Sequence, residues 1–370
     1  MIYSNIKKAR LFVIMFMIPY FSFSQVQPTL ETKIGQMIMM GLTGSKVDSA
    51  DALFKDVTNG RVGGILIYEK HLTPTNTSEN LQTLIRTYQA AAPTPLFISI
   101  DQEGGVVNRL KTKYGFPHMP SAAYLGRIDN LDTTKYYADN IAYTLSRLGI
   151  NLNYAPVLDV YMPTNPVLGS RERTYSADPN IIIKHATRTI QSHNYFNVNT
   201  VVKHFPGHGS STADSHLGIT DVSKTWKQDE LIPYRRLIKK GMVEAVMTAH
   251  IVNANLESSK LPATLSKKIM TDLLRKKLKF KGVIFSDDMH MKAISAEYGL
   301  EEAIEKAINA GVDVLMFSGN ISGIGSSTAG GLVDIVLKLI REGKVSEKRI
   351  NESYGRIMKM KNNRKMLNSL

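Results

Sequence analysis

The sequence predicts an α/β protein that forms a single (β/α)8 TIM-type barrel with extra C-terminal helices. Eight short apolar runs, rich in Val, Ile and Leu, alternate with amphipathic stretches along the chain. The runs lack a clear two-residue alternation, which is typical of parallel strands buried on both faces. No linker rich in proline, glycine or serine divides the sequence. Eight strands that alternate with helices favour a closed barrel over an open sheet.

Each predicted element follows from its local pattern. The eight predicted strands are residues 34–41, 64–68, 96–101, 150–160, 198–205, 245–252, 282–289 and 312–319. Apolar residues at helical spacing predict helices over 77–91, 133–149, 180–194, 229–241, 266–278 and 300–311, and two more within 331–361. The first of these helices starts with Thr77 and Ser78, and the second ends in Gly149, as helices often do. We therefore expect one barrel domain over residues 25–370.

Residues 1–24 predict a secretory signal peptide. Three basic residues, Lys7, Lys8 and Arg10, precede an apolar run of eleven residues, and Ser22 and Ser24 follow it. A basic start, a short apolar core and small residues at the exit are typical of a cleaved export signal. The alternative is an uncleaved anchor, but the run is short for a bilayer span of about 20 residues. We expect cleavage after Ser24, a periplasmic or secreted protein, and no stable membrane anchor.

The composition is that of an ordinary soluble globular protein, with 43% hydrophobic and 21% charged residues among 370. The absence of cysteine excludes disulfides, thiolate chemistry and cysteine-bound metals. The formal net charge of +14 falls to +11 without the first 24 residues, which hold three basic residues and no acid. Dispersed basic residues without interleaved aromatics indicate solvated helix faces rather than a nucleic-acid partner. Attraction to an anionic polymer, such as cell wall or nucleic acid, is the alternative.

The segment from residue 199 to residue 220, NTVVKHFPGHGSSTADSHLGIT, combines a buried strand with a reactive loop. Its apolar run ends in Lys203 and His204, and proline and glycines then break the strand. The loop that follows carries Asp214 and His216. In parallel α/β folds, functional residues gather at the carboxyl ends of the strands. We therefore interpret this segment as half of an active site.

Other predicted strands also end in ionisable residues, which should share one rim of the barrel. These residues are Asp101, Asp159, His250, and Asp287 with Asp288. Buried charges need partners, so a core strand alone would not require them. A rim of converging charges suits a very polar ligand, and a sugar with many hydroxyl groups fits this description.

Two of these groups suit the cleavage of a glycosidic bond. A retaining glycosidase needs a carboxylate nucleophile and a separate acid/base about 5–5.5 Å away. Asp287 is the candidate nucleophile, and His216, oriented and kept basic by Asp214, is the candidate acid/base. Because neighbouring strand residues point to opposite sides, only one of Asp287 and Asp288 should face the sugar.

Four motifs together resemble glycoside hydrolase family 3: DQEGG, KHFPGHG, the following DSH, and FSDDM. The resemblance covers roughly residues 30–365. Within the family, the sequence looks most like the single-domain β-N-acetylglucosaminidases of peptidoglycan turnover. It implies a retaining, exo-acting enzyme that releases terminal β-linked N-acetylglucosamine from peptidoglycan fragments or related glycans. It implies a covalent glycosyl-enzyme and no cofactor.

The resemblance also implies a role for each matching residue. Asp287 is implied as the nucleophile, and Asp214 and His216 as the acid/base dyad. The implied sugar-binding residues are Asp101, Arg109, Arg173, Lys203 and His204. The sequence departs from the family pattern at Arg171, which competes with Arg173 for the binding role. It also departs at His290, where the family usually has a small or apolar residue; we favour Arg173 and expect His290 to shape the rim.

Alternative functions fit parts of the same pattern. A histidine acid/base leaves less negative charge near the anomeric carbon, so phosphate could replace water in a β-N-acetylglucosaminide phosphorylase. A β-glucosidase-type member of the family, a non-catalytic wall-binding module and a metal-dependent hydrolase are further alternatives. His204 and His208 are four residues apart, as in some metal sites, but Pro206 and the glycines prevent the helix that such a pair needs. We therefore predict no metal site and expect His208 to order the loop.

Overall fold

The computed structural model describes residues 28–215, 217–319 and 328–363. Eight parallel strands form a closed barrel in chain order, and the first strand pairs with the last. The strands are β1 (Ile38–Gly41), β2 (Gly64–Ile67), β3 (Phe97–Ile100), β4 (Leu152–Asn153), β5 (Asn199–Phe205), β6 (Ala245–Thr248), β7 (Val283–Asp288) and β8 (Val314–Phe317). The predicted (β/α)8 barrel is confirmed, and each predicted strand region contains one barrel strand.

The helices pack around this barrel, and every helix predicted from periodicity has a counterpart. The helices are α1 (Leu30–Gly35), α2 (Ala52–Thr58), α3 (Thr77–Ala91), α4 (Ala122–Ile128), α5 (Leu131–Leu148), α6 (Pro179–Tyr195), α7 (Ile232–Lys239), α8 (Lys292–Ser295), α9 (Leu300–Ala310), α10 (Ala329–Arg341) and α11 (Glu347–Asn363). A wider π-type helix, Lys268–Lys277, lies between β6 and β7. Helices α10 and α11 are the predicted C-terminal additions.

Several predicted strands were too long. Residues 34 and 35 belong to α1, so β1 begins only at Ile38. The run 150–160 contributes only two residues to the barrel, after which Pro156 offers no N–H for a ladder. In the run 245–252, Ile251–Val252 leaves the barrel and pairs with Thr220–Asp221 in a separate two-stranded sheet. Apolar content therefore located the strands better than it located their ends.

The barrel interior is filled by side chains. All four residues of β2, β3, β6 and β8 are buried, as expected for strands covered on both faces. Inside, the ring of Phe285 contacts those of Phe97 and Tyr154 edge-to-face, with centroids 5.9 Å and 6.1 Å apart. The barrel is therefore a packed core and not a pore.

The N-terminal end of the barrel is closed by Lys361 of α11. Its ammonium group donates to the carbonyls of Gly63 and Pro95 and to Oε1 of Gln36, each at 2.7 Å. These three acceptors lie just before β1, β2 and β3, so the lysine sits beneath the strands. Among the described residues, this closure leaves the opposite, C-terminal end of the barrel for a ligand to approach.

The predicted signal peptide, residues 1–24, lies outside the described residues. None of the helices in the described ranges is both long and apolar enough to cross a membrane.

Candidate active site

A polar cavity of about 260 Å³ lies at the C-terminal end of the barrel. Its walls come from the ends of six strands, from the loop after β5 and from the loops near residues 106 and 171. The lining residues with polar side chains are Tyr68, Asp101, Arg109, Arg171, Arg173, Lys203, His204, His208, Ser215, Asp287, Asp288 and Ser318. Asp287 and all five predicted sugar-binding residues therefore share one cavity.

The floor of this cavity holds a buried ion-pair network. The ammonium of Lys203 lies 2.7 Å from Oδ1 of Asp101 and 2.6 Å from Oε1 of Glu103. Arg173 donates to both oxygens of Glu103, at 2.9 Å from Nε and 2.8 Å from Nη2. Such a bidentate pair fixes the guanidinium plane. Asp101 keeps an 18% exposed side chain, so it is the network's acid best placed for a ligand.

Glu103 is a member of this network that the sequence reasoning missed. Burial raises the pKa of its carboxyl, but the charges of Arg173 and Lys203 outweigh this and hold the pKa well below its usual value. Its carboxylate therefore stays ionised and balances two buried cations. The signal was present in the DQEGG motif, whose glutamate follows Asp101 by two residues.

A tight hairpin after β3 delivers these groups. Residues Gln102–Gly104 pair antiparallel with Val107–Asn108, and Gly104 turns with φ of 96°. A Cβ at Gly104 would lie 2.3 Å from the carbonyl oxygen of Pro120, so the close approach requires glycine. Oε1 of Gln102 accepts from the backbone N–H of Arg109 at 2.9 Å and locks the returning strand.

The same hairpin brings Arg109 back to the cavity. Its guanidinium lies 3.7 Å from Oδ2 of Asp101 and stacks over the ring of Tyr68, 5.4 Å from the centroid. Arg171, the competing arginine, lies exposed at the rim, whereas Arg173 is held in the buried network. The two arginines thus occupy different parts of the site.

Asp159 positions two histidines from below the cavity. Its buried carboxylate accepts from Nδ1 of His204 at 2.7 Å and from the backbone N–H of His208 at 2.7 Å. Burial raises the pKa of Asp159, but the His204 ring opposes this and the net pKa is lowered. The bond from Nδ1 leaves Nε2 of His204 as the ring nitrogen available to a ligand.

Asp287 and Asp288 end β7 with different surroundings. Asp287 is half-buried and accepts the backbone N–H of Asp288 at 2.8 Å. The buried Asp288 accepts from the hydroxyl of Ser318 and from the backbone N–H of His290 at 3.0 Å. Both aspartates line the cavity, but the carboxylate of Asp288 is taken up by Ser318 and His290, so the expectation that only one of the two faces the sugar stays a prediction. The register between β7 and β8 shifts at this point, which disturbs the alternation of side chains.

The loop after β5 reaches the cavity through Ser215, which is buried and lines it. Ser215 stands between the two predicted dyad residues. Asp214 is half-buried in this loop, and His216 lies outside the described residues. The start of the loop is anchored: Gly209 donates its N–H to Oε2 of Glu230 at 2.8 Å. Burial raises the pKa of Glu230 to about 7.

His290 and His250 pack behind the site. His290 is buried, with Nδ1 4.0 Å from Asp288. His250 is also buried, and its Nε2–H donates to the carbonyl of Asp288 at 3.0 Å. Within residues 28–215, 217–319 and 328–363, no group of three or more His, Asp or Glu side chains is arranged to hold a metal ion.

A closed (β/α)8 barrel with a polar, charge-lined cavity at the C-terminal end of its strands is the architecture of a TIM-barrel enzyme. The family model described as the glycosyl hydrolase family 3 N terminal domain matches residues 29–360. The chain therefore belongs to glycoside hydrolase family 3, as its motifs predicted.

Individual relatives narrow this assignment. The beta-hexosaminidase of Tolumonas auensis is 33% identical over 291 residues, which is 77% of this chain and 84% of that protein. The beta-hexosaminidase LpqI of Mycobacterium tuberculosis is 32% identical over 338 residues, covering 89% of this chain and 82% of the relative. The chain is a glycoside hydrolase, and these relatives support beta-hexosaminidase activity.

Solved structures of similar proteins support the same assignment. A glycoside hydrolase family 3 beta-N-acetylglucosaminidase from Paenibacillus sp. superimposes with a TM-score of 0.84 and 34% identity, covering 93% of this chain. This chain spans 64% of that protein's length. The beta-N-acetylhexosaminidase of Beutenbergia cavernae has a TM-score of 0.81 and 26% identity, with 90% of this chain and 99% of the other covered.

Proposed function

We propose that this protein is a retaining, exo-acting β-N-acetylglucosaminidase that removes terminal β-linked N-acetylglucosamine from peptidoglycan fragments or related glycans. The observation that carries the proposal is the position of Asp287. It shares one dead-end cavity with the Asp101–Lys203–Arg173 network and with Ser215, the neighbour of the acid/base dyad. The relatives named beta-hexosaminidase support a hexosamine as the sugar that is released.

The closed floor supports exo action. The packed rings of Tyr154 and Phe285 fill the barrel below the site, and Lys361 closes its far end. A polysaccharide cannot pass through such a cavity, whereas one terminal sugar can enter it. The network of Asp101, Lys203 and Arg173 then meets the hydroxyl and acetamido groups of that sugar, where polar recognition is most selective.

In the first step, a carboxylate oxygen of Asp287 attacks the anomeric carbon and the glycosidic C–O bond breaks. Imidazolium His216 gives its proton to the departing oxygen, so the leaving group departs as a neutral alcohol. Asp214 orients the ring and stabilises its charged form. The product of this step is a glycosyl ester on Asp287 with inverted configuration.

In the second step, neutral His216 takes a proton from water, and the water oxygen attacks the anomeric carbon. The ester bond to Asp287 breaks, the carboxylate is restored, and the configuration inverts again, giving net retention. If phosphate replaced water here, the product would be a sugar 1-phosphate. Product analysis with and without phosphate separates the two reactions.

The rim supports a cell-wall aglycone. Arg171 and Val106 both line the cavity and are exposed, Val106 by 61%. A cation and an apolar surface that line one cavity suit a leaving group that bears a carboxylate on a hydrocarbon arm, such as the lactyl ether of a muramic acid. An exported enzyme would meet such fragments, and the predicted signal peptide is consistent with that location.

A panel of aryl β-glycosides of N-acetylglucosamine, glucose and xylose tests the activity. We expect strong preference for N-acetylglucosamine, and proton NMR should show the β-anomer as the first product. Asp287→Ala should abolish turnover while the circular dichroism spectrum stays unchanged. Near-normal turnover by this variant, or an α-anomer as first product, would reject the proposal.

The predicted location has its own test. We expect the mature N-terminus of protein purified from the native cell envelope or medium to begin at Gln25. Retention of residues 1–24 in a membrane fraction would contradict cleavage.

A further inference from the structure

The start of the loop that carries the predicted dyad is anchored by three side chains. The backbone N–H of His208 donates to Asp159, and that of Gly209 donates to Glu230. The side-chain amide of Asn165 donates to the carbonyls of His208 and Gly209 at 2.8 Å and 2.9 Å. All three anchoring side chains are buried. This end of the loop is therefore part of the rigid scaffold.

The imidazole of His208 extends this anchor toward the dyad. Its Nδ1 is hydrogen-bonded to the hydroxyl of Ser211, and its Nε2 lies 3.1 Å from the hydroxyl of Ser215. The side chains of His208, Ser211 and Ser215 are all buried, although Thr212 and Ala213 between them are exposed. The ring thus crosses beneath an exposed turn and holds the residue on its far side.

The protonation state of the ring fits this role. Burial, and next the nearby charge of His204, lower the pKa of His208 to about 4, so the ring is neutral at ordinary pH. One ring nitrogen then donates to one serine, and the other accepts from the hydroxyl of the second. A neutral ring cannot itself be the proton donor for catalysis near neutral pH, which separates His208 from the proposed role of His216.

We propose that His208 is a positioning residue that, through its hydrogen bond, fixes Ser215, the residue between the two members of the proposed acid/base dyad. This inference rests on the proposed glycosidase function, because it concerns delivery of the acid/base. A small displacement of a positioned acid is costly, since proton transfer requires hydrogen-bond distance to the leaving oxygen. The nucleophile Asp287, on β7, is not moved by this bond.

The shape of the imidazole suggests the variants. The amide nitrogen of a glutamine overlaps the position of Nε2, so His208→Gln can keep the bond to Ser215. The shorter amide of His208→Asn overlaps Nδ1, so it can reach only Ser211. Ser215→Ala removes the bond from the other side, and Thr212→Ala, on the exposed part of the same loop, is the control.

The measurement is kcat/KM on aryl β-N-acetylglucosaminides with poor and good leaving groups. For a poor leaving group, His208→Asn and Ser215→Ala should each lose on the order of 10–100-fold, the worth of one buried hydrogen bond. His208→Gln should lose clearly less, and Thr212→Ala should match the unmodified enzyme. With dinitrophenyl as leaving group, which needs little acid assistance, all variants should lie within about threefold of it.

Two further readouts separate this role from general loop damage or direct sugar contact. The double variant His208→Asn with Ser215→Ala should be no slower than the slower single variant, because both act through one bond. The inhibition constant for free N-acetylglucosamine should stay within about twofold. Additive losses, equal losses on both leaving groups, or a weakened inhibitor would each overturn the inference.

Failure of the inference differs from failure of the proposed function. If the unmodified enzyme turns over no aryl β-N-acetylglucosaminide, the function is wrong. If it does so and Asp287→Ala is inactive, but His208→Asn shows no dependence on the leaving group, only the role of His208 is wrong.

Discussion

The two ends of the barrel both bury charges, but they use them differently. At the N-terminal end, Lys361 has three acceptors within 2.7 Å, and Asp313 is surrounded by three arginines. At the C-terminal end, Asp101 and Asp287 keep part of their surface open to the cavity. The lower charges pair with groups inside the protein, whereas the two upper aspartates also line a cavity that a ligand can enter.

This difference separates stability from activity. A buried ion pair costs desolvation, which only good geometry and additional hydrogen bonds recover. The lower network lies at the end of the barrel away from the cavity, so changes there should alter folding alone. The upper network borders the cavity, so changes there should alter turnover as well. Four substitutions test this contrast, from the largest expected effect to the smallest.

The largest effect is expected from Glu103→Gln at the upper end. It leaves Arg173 and Lys203 without their shared carboxylate in a buried setting. We expect kcat/KM to fall on the order of 100–1000-fold and stability to fall by roughly 3–5 kcal/mol. The control Glu172→Gln removes an exposed pair with Arg127 and should cost about 0–1 kcal/mol and no activity. Normal turnover by Glu103→Gln would contradict the role of the network.

Asp313→Asn breaks the equivalent network at the lower end. Asp313 accepts from Arg349 at 3.0 Å and Arg356 at 2.9 Å, and it also pairs with Arg275. Removing its charge takes the shared carboxylate from all three arginines, and we expect a loss of roughly 3–5 kcal/mol in urea unfolding. Well below the unfolding transition, kcat/KM should stay within about twofold. A loss of activity in folded protein would contradict the claim that changes at the lower end alter folding alone.

Lys361→Met tests whether a buried charge at the lower end makes the stability of the protein depend on pH. Burial lowers the pKa of Lys361 to about 7 in the folded state, against about 10.4 in the unfolded chain. Between these values the unfolded chain binds the additional proton, so this lysine makes stability rise from about pH 7 to about pH 10. The methionine side chain of the variant cannot titrate. The free energy of unfolding of the natural protein minus that of the variant should therefore increase over this range in denaturant titrations. A difference that is constant with pH would contradict the lowered pKa.

The smallest effect is expected from Arg171→Gln at the exposed rim. Neutral aryl β-N-acetylglucosaminides should be turned over within about twofold of the normal rate. Substrates whose aglycone carries a carboxylate should lose roughly 2–10-fold in kcat/KM, and the loss should shrink at high salt. Equal effects on charged and neutral aglycones would remove the support for an anionic leaving group.

The fold was largely predictable because its signal is repeated eight times. Apolar runs located every barrel strand, and helical spacing located the longer helices, whereas the short helices α1, α2, α4 and α8 were not predicted. The ends of the strands were less predictable, since Ile34 is as apolar in α1 as it would be in a strand. Likewise Ile251 is equally apolar in the barrel or in the small sheet that it joins. Apolar burial is common to both outcomes, and only tertiary pairing decides between them.

The site was predictable where residues follow strands directly. Asp101, Lys203, His204 and Asp287 were selected by this rule, and all four line the cavity. Glu103 was missed because its contact with Arg173 joins residues 70 positions apart and depends on a hairpin. Tyr68 was missed for a similar reason: its ring becomes part of the site only when Arg109 folds back over it.

The most direct test of the account is to trap its intermediate. A β-N-acetylglucosaminide that is fluorinated on the ring and carries a good leaving group should form the glycosyl ester quickly and hydrolyse it slowly. Mass spectrometry of a peptic digest should then find one sugar adduct, on the peptide containing Asp287, and none in Asp287→Ala. An adduct on another residue, or rapid turnover of this substrate with an inverted product and no adduct, would contradict Asp287 as the nucleophile.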